Sequence, residues 1–151
     1  MKKETADILI IGAGASGAAT AWNLSNTNLK IVCLEQGGRV RPEKYPSTRI
    51  DWELSKYNES HVSPNMRKLK SDYPINDEKS PIAIANFNAV GGSTILYSAH
   101  FPRFHPSDFK VKTLDGVADD WPIDYSDLEP FFELNDKMMG VSGLMDDTSY
   151  P

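Results

Sequence analysis

The chain is poor in the features that several protein classes require. Cys33 is the only cysteine among 151 residues, so an intrachain disulfide framework and a cysteine-based zinc site are both excluded, and no metal is expected. It lies in the apolar run Ile31-Val32-Cys33-Leu34, where a buried, inert thiol is the expectation. No segment approaches the roughly 20 apolar residues of a membrane-spanning helix. Met1 to Thr5 leads into a short apolar run, Ile8 to Ile11, that stops at Gly12; a secretory leader is longer, so the expected location is cytoplasmic. Positive charge is also scarce. Sixteen Lys and Arg stand against 21 Asp and Glu, a net charge of −5, which argues against a nucleic-acid partner because phosphate backbones require a concentrated basic face. Arg67, Lys68 and Lys70 come nearest to a cluster and read as a solvated surface.

What remains is an ordinary globular composition, 40% apolar and 25% charged, long enough for one domain with a core. Ala6 to Ile11 suits a parallel strand buried on both faces. Glycines 12 and 14 break it, Ala15 to Asn26 reads as a helix, and Leu29 to Leu34 reads as a second strand ending at Glu35. Strand, glycine turn, helix and strand within about 30 residues make a βαβ unit. The expected class is therefore α/β, a Rossmann-type core with a parallel sheet.

Gly12-Ala13-Gly14-Ala15-Ser16-Gly17 within that unit is G-x-G-x-x-G. The pattern alone is weak; following a strand, opening a helix and having an acid at the end of the next strand make it strong. Gly12 permits the turn, Gly14 lets a pyrophosphate approach the backbone, and Gly17 lets helix and strand pack closely. N–H groups near Ala15 and Ser16, with the positive end of the helix dipole, favour phosphate. Glu35, 18 residues after Gly17, is placed to accept hydrogen bonds from ribose hydroxyls and would repel a 2′-phosphate, although Arg39 nearby weakens that discrimination. This half-site serves FAD and NAD alike.

Residues 36–80 form a polar stretch with Pro42, Pro46, Pro64 and Pro74, and Pro81 at its border. It is expected to be an irregular insertion that serves function or covers a ligand, with a short helix near Asn65 to Lys70. Pro81 to Asn86 reads as a strand, Gly91-Gly92-Ser93-Thr94 as a second glycine turn, and Ile95 to Ala99 as the start of a helix. Ser107 or Asp108 is expected to cap a short helical turn. In the last helix Ser126 and Glu129 are expected to form a capping box, with Pro130 ending the first turn and Gly140 closing the helix. Leu128, Phe131, Phe132, Asn135, Met138 and Met139 form its packing stripe.

These segments resemble the glucose–methanol–choline (GMC) flavoprotein oxidoreductases. The resemblance rests on Ile8 to Ala21 with Glu35-Gln36-Gly37-Gly38, on Asn88 to Thr94, and on Asp120-Trp121-Pro122-Ile123-Asp124-Tyr125 through Gly140-Val141-Ser142-Gly143. It leans toward the gluconate-dehydrogenase-like branch. It implies FAD held by Gly12, Gly14, Ala15, Ser16, Gly17, Glu35 and Gln36, with Gly91, Gly92, Ser93 and Thr94 near the pyrophosphate and isoalloxazine. The implied reaction is oxidation of the CH–OH group of an alcohol, polyol or sugar acid by hydride transfer to flavin N5. Where some relatives carry a flavin-linking histidine this chain has Leu96, which implies non-covalent FAD, and Tyr97 departs from the oxidase branches.

The family's catalytic histidine pair lies far toward the C-terminus of a longer chain, so the catalytic residues are expected downstream of Pro151. On this reading residues 1–151 are an N-terminal FAD-binding portion, cut in a loop near Asp146 to Pro151 and lacking the substrate domain. His61, His100 and His105 are expected on surfaces or loops, with His100 the best placed to approach a flavin. A quinone or cytochrome subunit is an implied electron acceptor. Two alternatives stay open: an NAD-dependent dehydrogenase domain, which predicts further βα units after Glu35, and a non-catalytic nucleotide-binding module.

Overall fold

A computed structural model describes residues 5–45, 50–51, 54, 61–70, 72, 75–97 and 100–143. The stretch at 146–151 lies outside them. The chain divides into two compact units, Met1–Ser98 and Ala99–Pro151.

The first unit opens with β1 (Ile8–Ile11), α1 (Ala15–Leu24) and β2 (Ile31–Leu34). The strands pair in parallel with Ile8 opposite Ile31 and Ile11 opposite Leu34. Parallel pairing requires a crossover, and α1 supplies it. Gly12 N–H donates to the Leu34 carbonyl at 2.7 Å, so the ladder runs one residue past the strand before the chain turns. The α/β reading holds, but burial of β1 on both faces does not. Only Ile10 is buried, while Leu9, Ile11 and Leu34 are exposed, Ile11 by 83%. Among the described residues the sheet has these two strands, and the helix packed on both is α1, which leaves much of the strand surface uncovered. Cys33, expected to be buried, is exposed for the same reason; its Sγ lies 3.9 Å from the Gly12 carbonyl.

The expected strand at Pro81 to Asn86 is absent. A single parallel bridge forms instead, between Gly38 and Ala89, and the Val90 N–H donates to the Gly38 carbonyl. Ala89 is fully buried, and a Cβ on Gly37 would collide with the Ala89 nitrogen. Backbone contact therefore sets this crossing, and the apolar run before it forms no ladder. The helix expected from Ile95 to Ala99 does not form over Leu96 and Tyr97: a 3-10 turn over Gly92–Ile95 ends where it was to begin, and residues 98–99 lie outside the described ones.

Arg67 corrects the reading of a solvated basic patch. It ends a four-residue helix, α2 (Pro64–Arg67), and is only 6% exposed. Its guanidinium bonds both carboxylate oxygens of Asp72, at 2.9 and 2.6 Å. It also donates to the carbonyls of His61 and Asn86 and lies 4.5 Å from the Phe87 ring centroid. Lys68 and Lys70 are exposed, as expected. His61 is half-buried; its Nδ1 accepts the Ser63 N–H.

The second unit has a 3-10 turn (Pro106–Lys110), α3 (Val111–Asp115) and α4 (Tyr125–Met139). Phe109 and Tyr125 are buried, edge-on to each other at 6.5 Å, and Tyr125 meets Phe132 at 5.7 Å. Arg103 bonds Asp136 at 2.8 Å and the Tyr125 hydroxyl at 3.2 Å; those two partners, Tyr125 first, hold its guanidinium pKa above the ordinary value. Both caps differ from expectation. The Asp108 carboxylate accepts the His105 N–H, so Asp108 completes the cap from the first turn and does not start the helix. In α4 the box is Asp124 with Asp127, whose carboxylate accepts the Asp124 N–H at 2.8 Å. Ser126 and Glu129 are already inside the helix, and Pro130 falls in its second turn. Gly140 closes α4 at φ 69°. Of the expected stripe, Leu128 and Phe132 are half-buried while Phe131, Met138 and Met139 are exposed.

Candidate functional site

The G-x-G-x-x-G bend connects β1 to α1. Gly12 takes φ +93°, a conformation that disfavours any side chain. A Cβ on Gly17 would strike the Gly12 carbonyl, so that glycine lets the helix start close to the strand. A Cβ on Gly14 would meet nothing within 4 Å: this side of the bend is open space. The first intrahelical bond of α1 runs from the Ala18 N–H to the Gly14 carbonyl at 2.9 Å. The N–H groups of Ala15, Ser16 and Gly17 come before it and have no acceptor within the helix. No acid lies in the first turn and no side chain caps it, leaving those amides and the helix dipole directed at the opening. An open glycine wall beside uncapped amides suits a diphosphate.

Glu35 stands at the end of β2, where its carboxylate bridges two backbone segments. Oε2 accepts the Ala13 N–H at 2.6 Å and Oε1 accepts the Gly37 N–H at 2.7 Å. These bonds, Gly37 first and then Ala13, hold the carboxyl below its ordinary pKa, so it is ionised near neutrality. Each carboxylate oxygen has two lone-pair directions, so both can accept a further hydroxyl. Gln36 follows it, exposed.

The second glycine turn packs against the first. Gly91 N–H donates to the Ala13 carbonyl at 2.8 Å, and a Cβ on Gly92 would lie 3.2 Å from the Gly14 Cα. Gly91 and Gly92 both take positive φ, 101° and 61°. The hydroxyls of Ser93 and Thr94 shape the turn. Ser93 Oγ accepts the Phe87 N–H at 3.2 Å and reaches Asn86 Oδ1 at 3.4 Å; Thr94 Oγ1 donates to the Gly91 carbonyl at 2.6 Å. The structure thus gathers Gly12, Gly14, Ala15, Ser16, Gly17, Glu35, Gly91 and Gly92 around one bend. Sequence reasoning missed Ala13, which donates to Glu35 and accepts from Gly91. Backbone groups make both bonds, so its side chain gives no signal.

The Asp120-Trp121-Pro122-Ile123-Asp124-Tyr125 segment lies in the second unit, where it has structural duties. Asp120 accepts from the Thr113 hydroxyl and N–H at 2.5 and 3.0 Å; those bonds, the hydroxyl first, lower its carboxyl pKa. Trp121 N–H donates to the Phe109 carbonyl. The Trp121 ring borders an apolar pocket with Phe104, Phe109, Ile123 and Leu128. His100 is exposed and His105 half-buried. Among the described residues no group of acids, histidines and cysteine could hold a metal, and no helix is long and apolar enough to cross a membrane.

Residues 10–73 match the NAD(P)-binding Rossmann-like domain. Nearly the whole chain aligns with curated oxidoreductases. It is 40% identical over 147 residues to 2-methyl-1,2-propanediol dehydrogenase of Mycolicibacterium austroafricanum, covering 96% of this chain and 26% of that protein. It is 30% identical over 160 residues to the fructose dehydrogenase large subunit of Gluconobacter japonicus, covering 95% and 29%. With the gluconate 2-dehydrogenase flavoprotein of Pantoea cypripedii it is 25% identical over 163 residues, covering 91% and 25%. The chain spans about a quarter of the length of the curated relatives it matches.

Proposed function

We propose, from the premise that this chain belongs with the glucose–methanol–choline oxidoreductases, that it forms the FAD-binding portion of a dehydrogenase acting on the CH–OH group of an alcohol, polyol or sugar acid. The observation that carries the reading is the convergence of Gly14, the α1 amides, Glu35 and the second glycine turn on one open bend. The Ala15, Ser16 and Gly17 amides would hold the pyrophosphate. Ionised Glu35 would accept the adenosine ribose hydroxyls and repel a 2′-phosphate. Gly91 and Gly92 would let the flavin half approach the backbone. FAD, when bound, supplies hydride acceptance at N5.

The name of the Pantoea relative includes a flavoprotein, which supports FAD over a nicotinamide. Leu96 at the position of the flavin-linking histidine supports non-covalent attachment. The relatives named as a large subunit and as a flavoprotein support an electron-accepting partner subunit. The catalytic base would lie outside residues 1–151, His61, His100 and His105 being poor candidates for that role.

The test uses the complete purified protein. Yellow protein that bleaches anaerobically with a vicinal diol or sugar acid, and releases FAD on acid denaturation, supports the reading. Flavin retained on the denatured polypeptide overturns the non-covalent attachment. Colourless protein with nicotinamide-dependent turnover, or nucleotide binding without turnover, overturns the flavoenzyme assignment.

A further inference from the structure

Arg67 makes more contacts than a buried cation in an irregular stretch needs for neutralisation. Asp72 alone balances its charge, through a fork-to-fork pair whose side chains are 0% and 4% exposed. The same guanidinium holds the Asn86 carbonyl at 3.0 Å and covers the Phe87 ring at 4.5 Å. Those two residues are the ones that reach Ser93: the Phe87 N–H donates to Ser93 Oγ, and Asn86 Oδ1 lies within hydrogen-bond distance of it. Ser93 is inside the turn that sets Gly92 against Gly14. A continuous set of contacts therefore runs from the Arg67–Asp72 pair to the glycine wall of the bend.

We propose that Arg67 is a positioning residue for the dinucleotide site, fixing Asn86 and Phe87 so that Ser93 holds the second glycine turn against Gly14. This rests on the reading that the bend binds a dinucleotide. Lysine cannot replace it, because a point charge cannot form the planar fork with Asp72, reach two carbonyls and stack on a ring together. Its effect falls on the part of the ligand near the second turn. Glu35 takes its hydrogen bonds from Ala13 and Gly37 and touches none of the Arg67 contacts, so the adenosine end meets the second turn only at one remove, through backbone such as the Gly91–Ala13 bond.

Arg67→Lys in the complete protein, titrated with FAD and separately with AMP, tests this. FAD binding should weaken about tenfold, with AMP binding unchanged within about twofold. In nucleotide-free protein, amide exchange should speed up at Phe87, Gly91 and Gly92 and stay constant through Ile8–Ile11 and Ile31–Leu34. Phe87→Leu, which removes only the ring beneath the guanidinium, should weaken FAD about threefold with the same AMP result, and it decides the matter if the lysine variant does not fold. Unchanged FAD affinity, or equal losses for FAD and AMP, overturns the role of Arg67 while leaving the dinucleotide reading intact. Wild-type protein that binds neither ligand overturns that reading and this inference with it.

Discussion

Gly92 faces Gly14 so closely that a Cβ added to Gly92 would stand 3.2 Å from the Gly14 Cα. The two glycine motifs, 78 positions apart in the chain, are thus one wall. Gly92 also takes φ +61°, which costs an L-residue roughly 1–2 kcal/mol. Gly92→Ala should lower stability by about that amount and weaken FAD binding, read by denaturant unfolding and by flavin titration.

Gly37 and Gly38 should respond in opposite ways. A Cβ on Gly37 falls on the backbone of Asn88 and Ala89, whereas one on Gly38 meets nothing within 4 Å. Backbone cannot swing aside as a long side chain can. Gly37→Ala should cost about 3 kcal/mol, and Gly38→Ala should change stability by less than about 0.5 kcal/mol. Parallel denaturant titrations of the two variants check the contrast.

Glu35 makes stability depend on pH. Hydrogen bonds from Gly37 and Ala13 favour its ionised form, so its folded pKa lies below the ordinary carboxylate value. The stabilisation is complete above the unfolded pKa of about 4.3 and is lost as pH falls through the lower folded value. Glu35→Gln should flatten the stability profile in that acidic window. It should also weaken AMP binding at neutral pH, where the wild-type carboxylate is charged.

Pro130 sits inside α4, where it removes a backbone donor and crowds the preceding turn. Pro130→Ala should stabilise the second unit by about 2 kcal/mol, visible as a higher unfolding temperature.

The βαβ unit was legible because each of its signals is local: an apolar run, glycines at fixed offsets, and an acid at the end of the next strand. Gly140 was legible for the same reason. Arg67 was not, since an arginine in a polar stretch looks the same whether water or Asp72 surrounds it, and its remaining partners lie up to 20 positions away. The strand expected at Pro81 to Asn86 failed because neighbouring backbone, through Gly38 and Ala89, determines pairing there more than apolar content does. The capping box of α4 lies two residues before the place the sequence suggests, because Ser126 and Glu129 have suitable side chains while Asp124 and Asp127 hold the geometry.

Ala13 is the hinge pin of this arrangement. Its N–H is tied to the acid that would meet the sugar, and its carbonyl to the loop that would meet the flavin half. Its methyl group contributes to neither bond, so exchanging that side chain is forgivable. Lengthening the bend by one residue is not, because the amide and the carbonyl would slip out of step with their partners at once.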